Sequence, residues 1–124
     1  MPARDPNHRV AIEASPKRVR VMFNGKTVVD TLNAALILET GHMPVYYFPR
    51  ANVRTDLLQR SDHITHCPYK GEASYGSLRV KEKFSEDALW SYLDPLPECP
   101  RIKGHYCFYP EKVDGMEVEG QVAP

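Results

Sequence analysis

Residues 19–29 read VRVMFNGKTVV, and this stretch predicts the first element of the fold, a β-hairpin. Apolar side chains alternate along Val19–Phe23, which is the period-two pattern of a half-buried strand. Asn24-Gly25 follows at once, and a two-residue hairpin turn needs positive φ at both central positions, which these two residue types tolerate best. The second strand is predicted over Thr27–Val29.

Further strands are predicted on both sides of this hairpin. Val10–Ala14 alternates apolar and polar residues, and Val45–Phe48 is rich in the aromatic and β-branched residues that favour strands. Asn33–Thr40 fits a helix or a strand, because Ala, Leu and Glu favour helices but the segment ends at Gly41 just before a clear strand. We interpret Asn33–Thr40 as a strand of a hairpin.

A short helix is predicted after Pro49, which ends the strand before it. Asn52 is a suitable N-cap, and Val53, Leu57 and Leu58 would share one side of a helix of about two turns.

A second hairpin is predicted around Pro68-Tyr69-Lys70-Gly71, between strands His63–Cys67 and Glu72–Val80. Proline fixes φ at the first loop position and glycine accepts positive φ at the last. If Cys67 pairs with Glu72, Cys67 lies on the opposite face from Tyr75. Either the face of Cys67 is then the buried one, or a β-bulge near Gly76-Ser77 shifts the side-chain parity, which is a usual role of glycine within a strand.

The C-terminal part contains two more predicted strands, Ala88–Tyr92 and Ile102–Tyr109, joined by an irregular connector over Asp94–Pro100. The residues from Asp114 onward are acidic and poor in apolar side chains. We therefore predict a flexible N-terminus at 1–7, a single β domain at 8–113 and a flexible acidic tail at 114–124.

The composition indicates one globular domain. The chain has 124 residues, of which 42% are hydrophobic, enough for one core but not for two. Sixteen Lys and Arg balance sixteen Asp and Glu, so the formal net charge is zero. A nucleic-acid-binding protein usually carries an excess of positive charge, and we expect no nucleic-acid partner here.

The sequence also predicts a cytoplasmic protein without a membrane segment. Charged residues interrupt the first fifteen positions, so a secretory signal has no apolar region, and the longest apolar run, Ala34–Leu38, is about a quarter of a membrane span. Cys67, Cys99 and Cys107 are an odd number without a Cys-x-x-Cys pair, which argues against a disulfide framework and a zinc site. We expect reduced thiols, no metal and no cofactor, and the sequence leaves the oligomeric state open.

A candidate binding site comes from aromatic residues that occur beside cations. Aromatic walls desolvate a small planar or anionic ligand, and positively charged side chains hold its charge. The same rings are also ordinary core residues of β-sheets, and this alternative stays open. The predicted ligand-binding residues are Tyr46, Tyr47, Arg50, His66, Trp90 and Tyr92.

Cys67 and Lys70 are the candidate catalytic residues. A nearby cation lowers the pKa of a thiol, and the thiolate is the reactive form. Lys70 lies three residues after Cys67 across a tight loop. His63 shares the face of Cys67 and could serve as its base, as could His105 from elsewhere in the chain, whereas a buried cysteine that only packs is the alternative.

Several motifs occur together in one order: Arg18–Val21 with Asn24-Gly25, Val45–Arg50, Thr65–Tyr75, Ala88–Tyr92 with Pro95, and Gly104–Pro110. In this combination the chain resembles domain-of-unknown-function family 427 over roughly residues 8 to 114. The resemblance implies a mainly β fold, a small antiparallel two-sheet barrel or β-tent similar to Mss4, with one or two short helices. It carries no metal over, because the paired Cys-x-x-Cys knuckles of such folds are absent from this sequence.

Members of that family are sometimes labelled nucleotidyltransferase-like. Phosphoryl transfer usually needs paired carboxylates for Mg²⁺, and no Asp-x-Asp or Asp-x-Glu occurs in this sequence. The sequence therefore favours two other hypotheses. The first is a site, binding or catalytic, for a small anionic or planar molecule in an aromatic cleft, with Arg50 and Lys70 as a positive patch at its mouth. The second is a non-catalytic protein-interaction module whose aromatic motifs form the core.

Overall fold

The computed structural model describes residues 7–68, 70–92, 102–119 and 121–122, and strands dominate these ranges. The predicted mainly antiparallel β class is confirmed. The strands are β1 Val10–Ser15, β2 Val19–Phe23, β3 Lys26–Thr31, β4 Ala34–Glu39, β5 Val45–Tyr47, β6 Leu58–Cys67, β7 Gly71–Val80, β8 Lys83–Ser91, β9 Tyr106–Phe108, β10 Gly115–Val118 and β11 Gln121–Val122.

Hydrogen bonds divide these strands into three sheets rather than two, with the orders β1-β4-β5, β11-β10-β2-β3 and β6-β7-β8-β9. No closed barrel forms among the described strands. Phe48, directly after β5, and Tyr106 of β9 exchange two backbone hydrogen bonds, each 2.8 Å long. This isolated bridge joins the first sheet to the β6–β9 sheet along one edge.

The predicted hairpin at Asn24-Gly25 is present. Asn24 has φ 48° and Gly25 φ 78°, as a two-residue hairpin turn requires. The Asn24 side chain donates a hydrogen bond to the carbonyl of Val80 at 3.0 Å, and its backbone N–H donates to the Asp114 carboxylate at 2.6 Å. The turn is therefore anchored to distant parts of the chain as well as formed by local preference.

The interpretation of Asn33–Thr40 as a strand is confirmed by β4, but the helix after Asn52 was wrongly predicted. Two 3-10 turns occur instead, at Arg50–Asn52 and Thr55–Leu57. The Asn52 side chain accepts a hydrogen bond from the Thr31 hydroxyl at 3.0 Å rather than capping a helix. Val53 also forms a backbone bridge with Val29 of β3, so this segment is held against a sheet and cannot wind into a helix.

The β6–β7 hairpin is present with a different register. Cys67 pairs with Gly71, not with Glu72, so the connection contains residues 68–70 and is one residue shorter than predicted. Gly71 has φ 116°, a conformation that favours glycine and lets it begin the strand. The shift by one residue places Cys67 on the same face as Tyr75, reversing the expected parity.

The pairing is irregular near Gly76, but the bulges lie on the strands beside β7 and not within it. The register between β7 and β8 shifts between Gly76 and Leu78, and the register between β6 and β7 shifts between Arg60 and Ile64. In both cases the extra residues lie on the neighbouring strand, so β7 is the regular strand between two bulged ones.

The last predicted strands have different lengths in the structure. β8 begins at Lys83, earlier than predicted, and a tight turn with Lys81 at φ 56° connects it to β7. β9 is shorter than the predicted Ile102–Tyr109 and ends before a 3-10 turn at Pro110–Lys112. The predicted connector Asp94–Pro100 lies outside the described residues.

The segment expected to form a flexible tail contains a strand. β10 pairs with β2 over four residue pairs, from Gly115 opposite Met22 to Val118 opposite Val19. The Asp114 carboxylate, next to this strand, binds the Lys83 ammonium at 2.5 Å. Edge pairing with β2 satisfies the backbone of an acidic segment whose own sequence is a weak strand signal.

Two groups of buried side chains form the core. One lies between the β2–β3 sheet and one face of the β6–β9 sheet and includes Val21, Phe48 and Leu89. The other lies between the β1-β4-β5 sheet and the opposite face and includes Ile37 and Tyr47. Both faces of the β6–β9 sheet are thus partly covered. Among the described residues there is no helix with the length and apolar character needed to cross a bilayer.

Candidate functional site

A half-open cavity of about 540 Å³ lies where the β4-β5 edge faces β6, β7 and β8. Its volume falls within the range of about 300 to 1,000 Å³ that is usual for small-molecule sites. Most of the side chains around it are aromatic or ionisable. The lining residues are His8, Ile37, Glu39, His42, Met43, Val45, Tyr47, His66, Cys67, Pro68, Lys70, Tyr75, Trp90, Tyr92 and Tyr109.

Strand parity explains which residues reach the cavity. Ile37 and Glu39 lie on the same face of β4, because side chains two apart in a strand point the same way. On the β6–β9 sheet, Tyr75 and Trp90 are directly paired neighbours and so share a face. The alternate residue Ser91 lies on the other face of that sheet.

An ionic group forms one end of the cavity. The Lys70 ammonium lies 2.7 Å from one oxygen of Glu39, with side-chain exposures of only 11% and 6%. The His8 ring lies 2.9 Å from the second carboxylate oxygen, and the His42 ring lies 3.7 Å from it. Burial alone would raise the pKa of Glu39, but the hydrogen bond and charge of Lys70, with His8 and His42, outweigh it and hold the pKa below its ordinary value.

Aromatic rings form the walls. The Trp90 indole N–H donates a hydrogen bond to the Tyr47 hydroxyl at 3.1 Å, and the two rings are perpendicular. Tyr92 stacks on the other side of Tyr47 with centroids 6.3 Å apart, and the Tyr109 ring lies 4.5 Å from that of Trp90. The Lys70 ammonium is 5.8 Å from the centre of the Tyr92 ring, so the ionic end and the aromatic walls are in contact.

The tyrosine hydroxyls remain protonated. Burial raises the pKa of Tyr47 and Tyr92 well above the ordinary tyrosine value. The pKa of Tyr109 is raised too, by burial and by its hydrogen bond with Tyr75, whose hydroxyl is 3.2 Å away. These groups can donate and accept hydrogen bonds but do not act as phenolate bases near neutral pH.

The two candidate catalytic residues both line the cavity, but they differ in exposure and in their partners. Cys67 ends β6 and is partly exposed as a free thiol. Among the described residues, no His, Lys or Tyr side chain lies within hydrogen-bond distance of its sulfur. Lys70, in the loop between β6 and β7, is largely buried and its charge is balanced by Glu39.

A second thiol lies beneath the aromatic wall. Cys107 of β9 is 1% exposed, and burial raises the pKa of its thiol, which remains protonated. It has the character of a core residue.

Six of the eight predicted site residues lie around this cavity: Tyr47, His66, Cys67, Lys70, Trp90 and Tyr92. Tyr46 does not, because it points to the other face of β5 and packs against the core with Phe48. Arg50 does not either. It lines a second cavity, of about 410 Å³, and donates a hydrogen bond to the Tyr106 hydroxyl at 3.2 Å. The expected positive patch of Arg50 with Lys70 is therefore not formed.

Several cavity residues were missed by the sequence reasoning. Glu39 had a usable signal, because it has the parity of Ala35 and Ile37 and is therefore an acidic residue on the apolar face of β4. Tyr75 was placed on the wrong face when the hairpin register was predicted one residue off. His8 carries no local signal, since its contact with Glu39 spans 31 positions along the chain.

The described residues contain no group of three or more His, Cys, Asp or Glu side chains arranged to hold a metal ion. Cys99, one of the three thiols, lies outside the described residues.

A family model described as a domain of unknown function, DUF427, matches residues 11–119. No curated protein matches the chain.

Proposed function

The chain belongs to the DUF427 family, and from this premise we propose that it binds a small planar molecule with an anionic or hydrogen-bond-accepting edge in the aromatic cavity. The supporting observation is the direct contact between the buried Lys70–Glu39 pair and the aromatic wall. A planar ring can lie against Trp90 and Tyr75 while its polar edge meets the ionic group.

Lys70 is the residue that would recognise the edge of the ligand. An ammonium has three N–H donors, and Glu39 accepts one of them. Glu39 thus fixes the position of the ammonium rather than using up its donors, and fixed placement lowers the entropy that a ligand loses on binding. The His8 ring holds the other oxygen of Glu39 and keeps the carboxylate from turning towards the ligand.

Binding rather than cysteine catalysis is the function that the geometry favours. A nucleophilic thiol normally needs a base within hydrogen-bond reach, and within the described ranges Cys67 has none. Cys67 then serves as part of the cavity surface beside His66.

The protein-interaction hypothesis is the second candidate. It is favoured by the complete burial of Tyr47, 0% exposed, and by Tyr92, 5% exposed, since these rings contribute to the core whether or not a ligand binds. Trp90 and Tyr75 are only half-buried, however, and closing a core would not require them to border an open cavity.

The test is a thermal-shift screen of aromatic acids, nucleobases and nucleotides against the wild-type protein, repeated on two variants. A ligand at a hundredfold excess over its dissociation constant should stabilise the folded state by about 2.7 kcal/mol. Lys70→Met should abolish or strongly reduce these shifts. Arg50→Ala is the matched control, because it removes a cation that lies outside the aromatic cavity.

Loss of all shifts in Lys70→Met with retention in Arg50→Ala supports the proposal. Equal retention in both variants, or a wild-type protein that no planar compound stabilises, would overturn it. In the second case a pull-down in which Trp90→Ala changes the bound partners would favour the protein-interaction hypothesis.

A further inference from the structure

We propose that the second cavity, on the opposite face of the β6–β9 sheet, binds the phosphate group of a small phosphomonoester. This cavity measures about 410 Å³ and shares Tyr75 with the lining of the aromatic one. Its polar lining includes Arg50, Arg60, Ser74, Ser91 and Tyr106. The inference does not depend on the function proposed for the aromatic cavity.

The charge of this cavity is positive and uncompensated. Arg50 and Arg60 both line it, and no Asp or Glu is among the described residues of its lining. Neither guanidinium forms an ion pair with a carboxylate in the part of the chain that the structure describes. The nearest acidic residues along the chain are Asp62, which is not part of the cavity lining, and Asp56, whose two oxygens are hydrogen-bonded to Arg54 at 2.9 and 2.8 Å. Two unpaired guanidiniums therefore remain for an external anion.

A buried hydroxyl supplies the independent observation. Ser91 lines the cavity and is 3% exposed, and its Oγ has no hydrogen-bond partner among the residues that the structure describes. A buried polar atom without a partner costs free energy, so such a group usually marks a missing ligand or a functional position. A bound oxyanion beside Ser91 would accept a hydrogen bond from this hydroxyl.

The space for the ligand comes from small residues. Ser74, Gly76 and Ser91 face the cavity from β7 and β8, where larger side chains would fill it. A Cβ added to Gly76 would lie 3.2 Å from Cδ1 of Leu89. Leu89 therefore packs closely against Gly76, and a larger residue at this position would require the Leu89 side chain to move. The register shifts on both sides of β7 occur near the same place, and bulges of this kind bend the strands that contain them.

The donor set fits a phosphate better than a carboxylate. A guanidinium presents a planar fork of N–H donors that matches two oxygens, and two such forks with several hydroxyls can satisfy three terminal phosphate oxygens. Tyr106 already holds Arg50 through a hydrogen bond of 3.2 Å, which orients one fork. Leu58 and Leu89 line the same cavity and give the organic part of an ester an apolar surface.

The experiment titrates the full chain with phenyl phosphate and with inorganic phosphate at constant ionic strength, using isothermal calorimetry and amide chemical shifts. Benzoate is the carboxylate arm. Arg50→Gln and Arg60→Gln should each raise the dissociation constant of phenyl phosphate by roughly tenfold or more, since a charge-assisted hydrogen bond is lost. Arg79→Gln is the matched control, because it removes an equal charge from β7 at a residue outside the cavity lining.

Ser91→Ala separates binding from folding. Removing an unpartnered hydroxyl should leave the melting temperature unchanged or raised, while it weakens phenyl phosphate binding. Equal weakening in Arg79→Gln and Arg60→Gln would overturn the proposal, because the effect would then be general electrostatic attraction. Absence of phosphate binding to the wild type, or tighter binding of benzoate, would overturn it as well. Lys70→Met should retain phosphate binding, so this result does not depend on the outcome of the planar-ligand screen.

Discussion

At the scale of single residues, the Glu39–Lys70 pair is the interaction on which the aromatic cavity depends. We expect Lys70→Met to destabilise the protein more than Glu39→Gln, because it leaves a nearly buried carboxylate without its cation. The double variant should recover part of the loss, with a coupling free energy of about 1 to 3 kcal/mol. Urea denaturation of the four proteins measures it, and strictly additive effects would show that the pair is not coupled.

Acid should weaken the same pair. The pKa of Glu39 in the folded protein lies below its ordinary value of 4.5, because Lys70, His8 and His42 together outweigh the opposing effect of burial. A carboxylate of this kind stabilises the fold above its unfolded pKa, and the contribution disappears as the pH falls through the folded pKa. The melting temperature of the wild type should therefore exceed that of Glu39→Gln near neutral pH, and the difference should shrink below about pH 4.5. A difference that grows on acidification would contradict this assignment.

The residue types in the sequence indicated most of the candidate site. The sequence did not indicate which of these residues contact one another. Trp90 and Lys70, singled out by the grouping of aromatic rings and cations along the sequence, both line one cavity. Arg50 follows Tyr47 by only three positions but lies at another cavity, because the chain leaves β5 into a 3-10 turn. The negative charge that balances Lys70 comes from Glu39, which lies 31 positions away, and no local sequence pattern predicts a contact over that separation.

At the scale of elements, the β2–β3 turn is the feature for which local preference is most decisive. Gly25 has φ 78° and open space around it, so Gly25→Ala should cost about 1 to 2 kcal/mol through backbone strain alone. Gly115→Ala is the control, because its added Cβ would make an ordinary contact of 3.6 Å with Met22 and no positive φ is involved. Equal effects in thermal denaturation would show that the turn conformation is not the cause.

β10 should contribute to the stability of the fold despite its acidic sequence. A chain that ends after residue 114 loses the ladder with β2 and exposes that strand as a new edge. We expect a lower melting temperature and a greater tendency to aggregate, measured by calorimetry and light scattering. A chain that ends after residue 122 keeps both strands and should behave as the full chain; if the two truncations match, β10 is dispensable.

Elements whose hydrogen bonds are local were predictable, and elements held by distant partners were not. The turn residues and the alternation of the flanking strands were enough to predict the Asn24-Gly25 hairpin, although Val80 and Asp114 also hold its turn. The segment after Pro49 had helix-like spacing, but the backbone of Arg54 is bound to the carbonyl of Val28 at 2.8 Å, and this contact determines its conformation. β10 likewise exists because β2 offers a free edge, which its own composition does not reveal.

At the scale of the whole molecule, the sequence predicted the fold class but not how the strands are arranged into sheets. Alternating patterns identify which segments are strands, whereas the division into three sheets is set by which edges meet. The bridge between Phe48 and Tyr106 brings β4 and β5 beside β8 and β9, and so places Glu39 opposite the aromatic wall. Both residues lie in recognisable strands, but their pairing is a property of the folded chain alone.

Tyr75 lines the aromatic cavity and also the second cavity, which contains Arg50 and Arg60. Its hydroxyl lies 3.2 Å from the hydroxyls of Thr65 and Tyr109, so a ligand in the aromatic cavity that displaces the ring must break these hydrogen bonds. If that displacement changes the second cavity, thermodynamic linkage requires reciprocity: an occupant of one cavity changes the affinity of the other by the same factor that it experiences in return. In that case binding at the two cavities would be cooperative, and Tyr75, which lines both, would couple them.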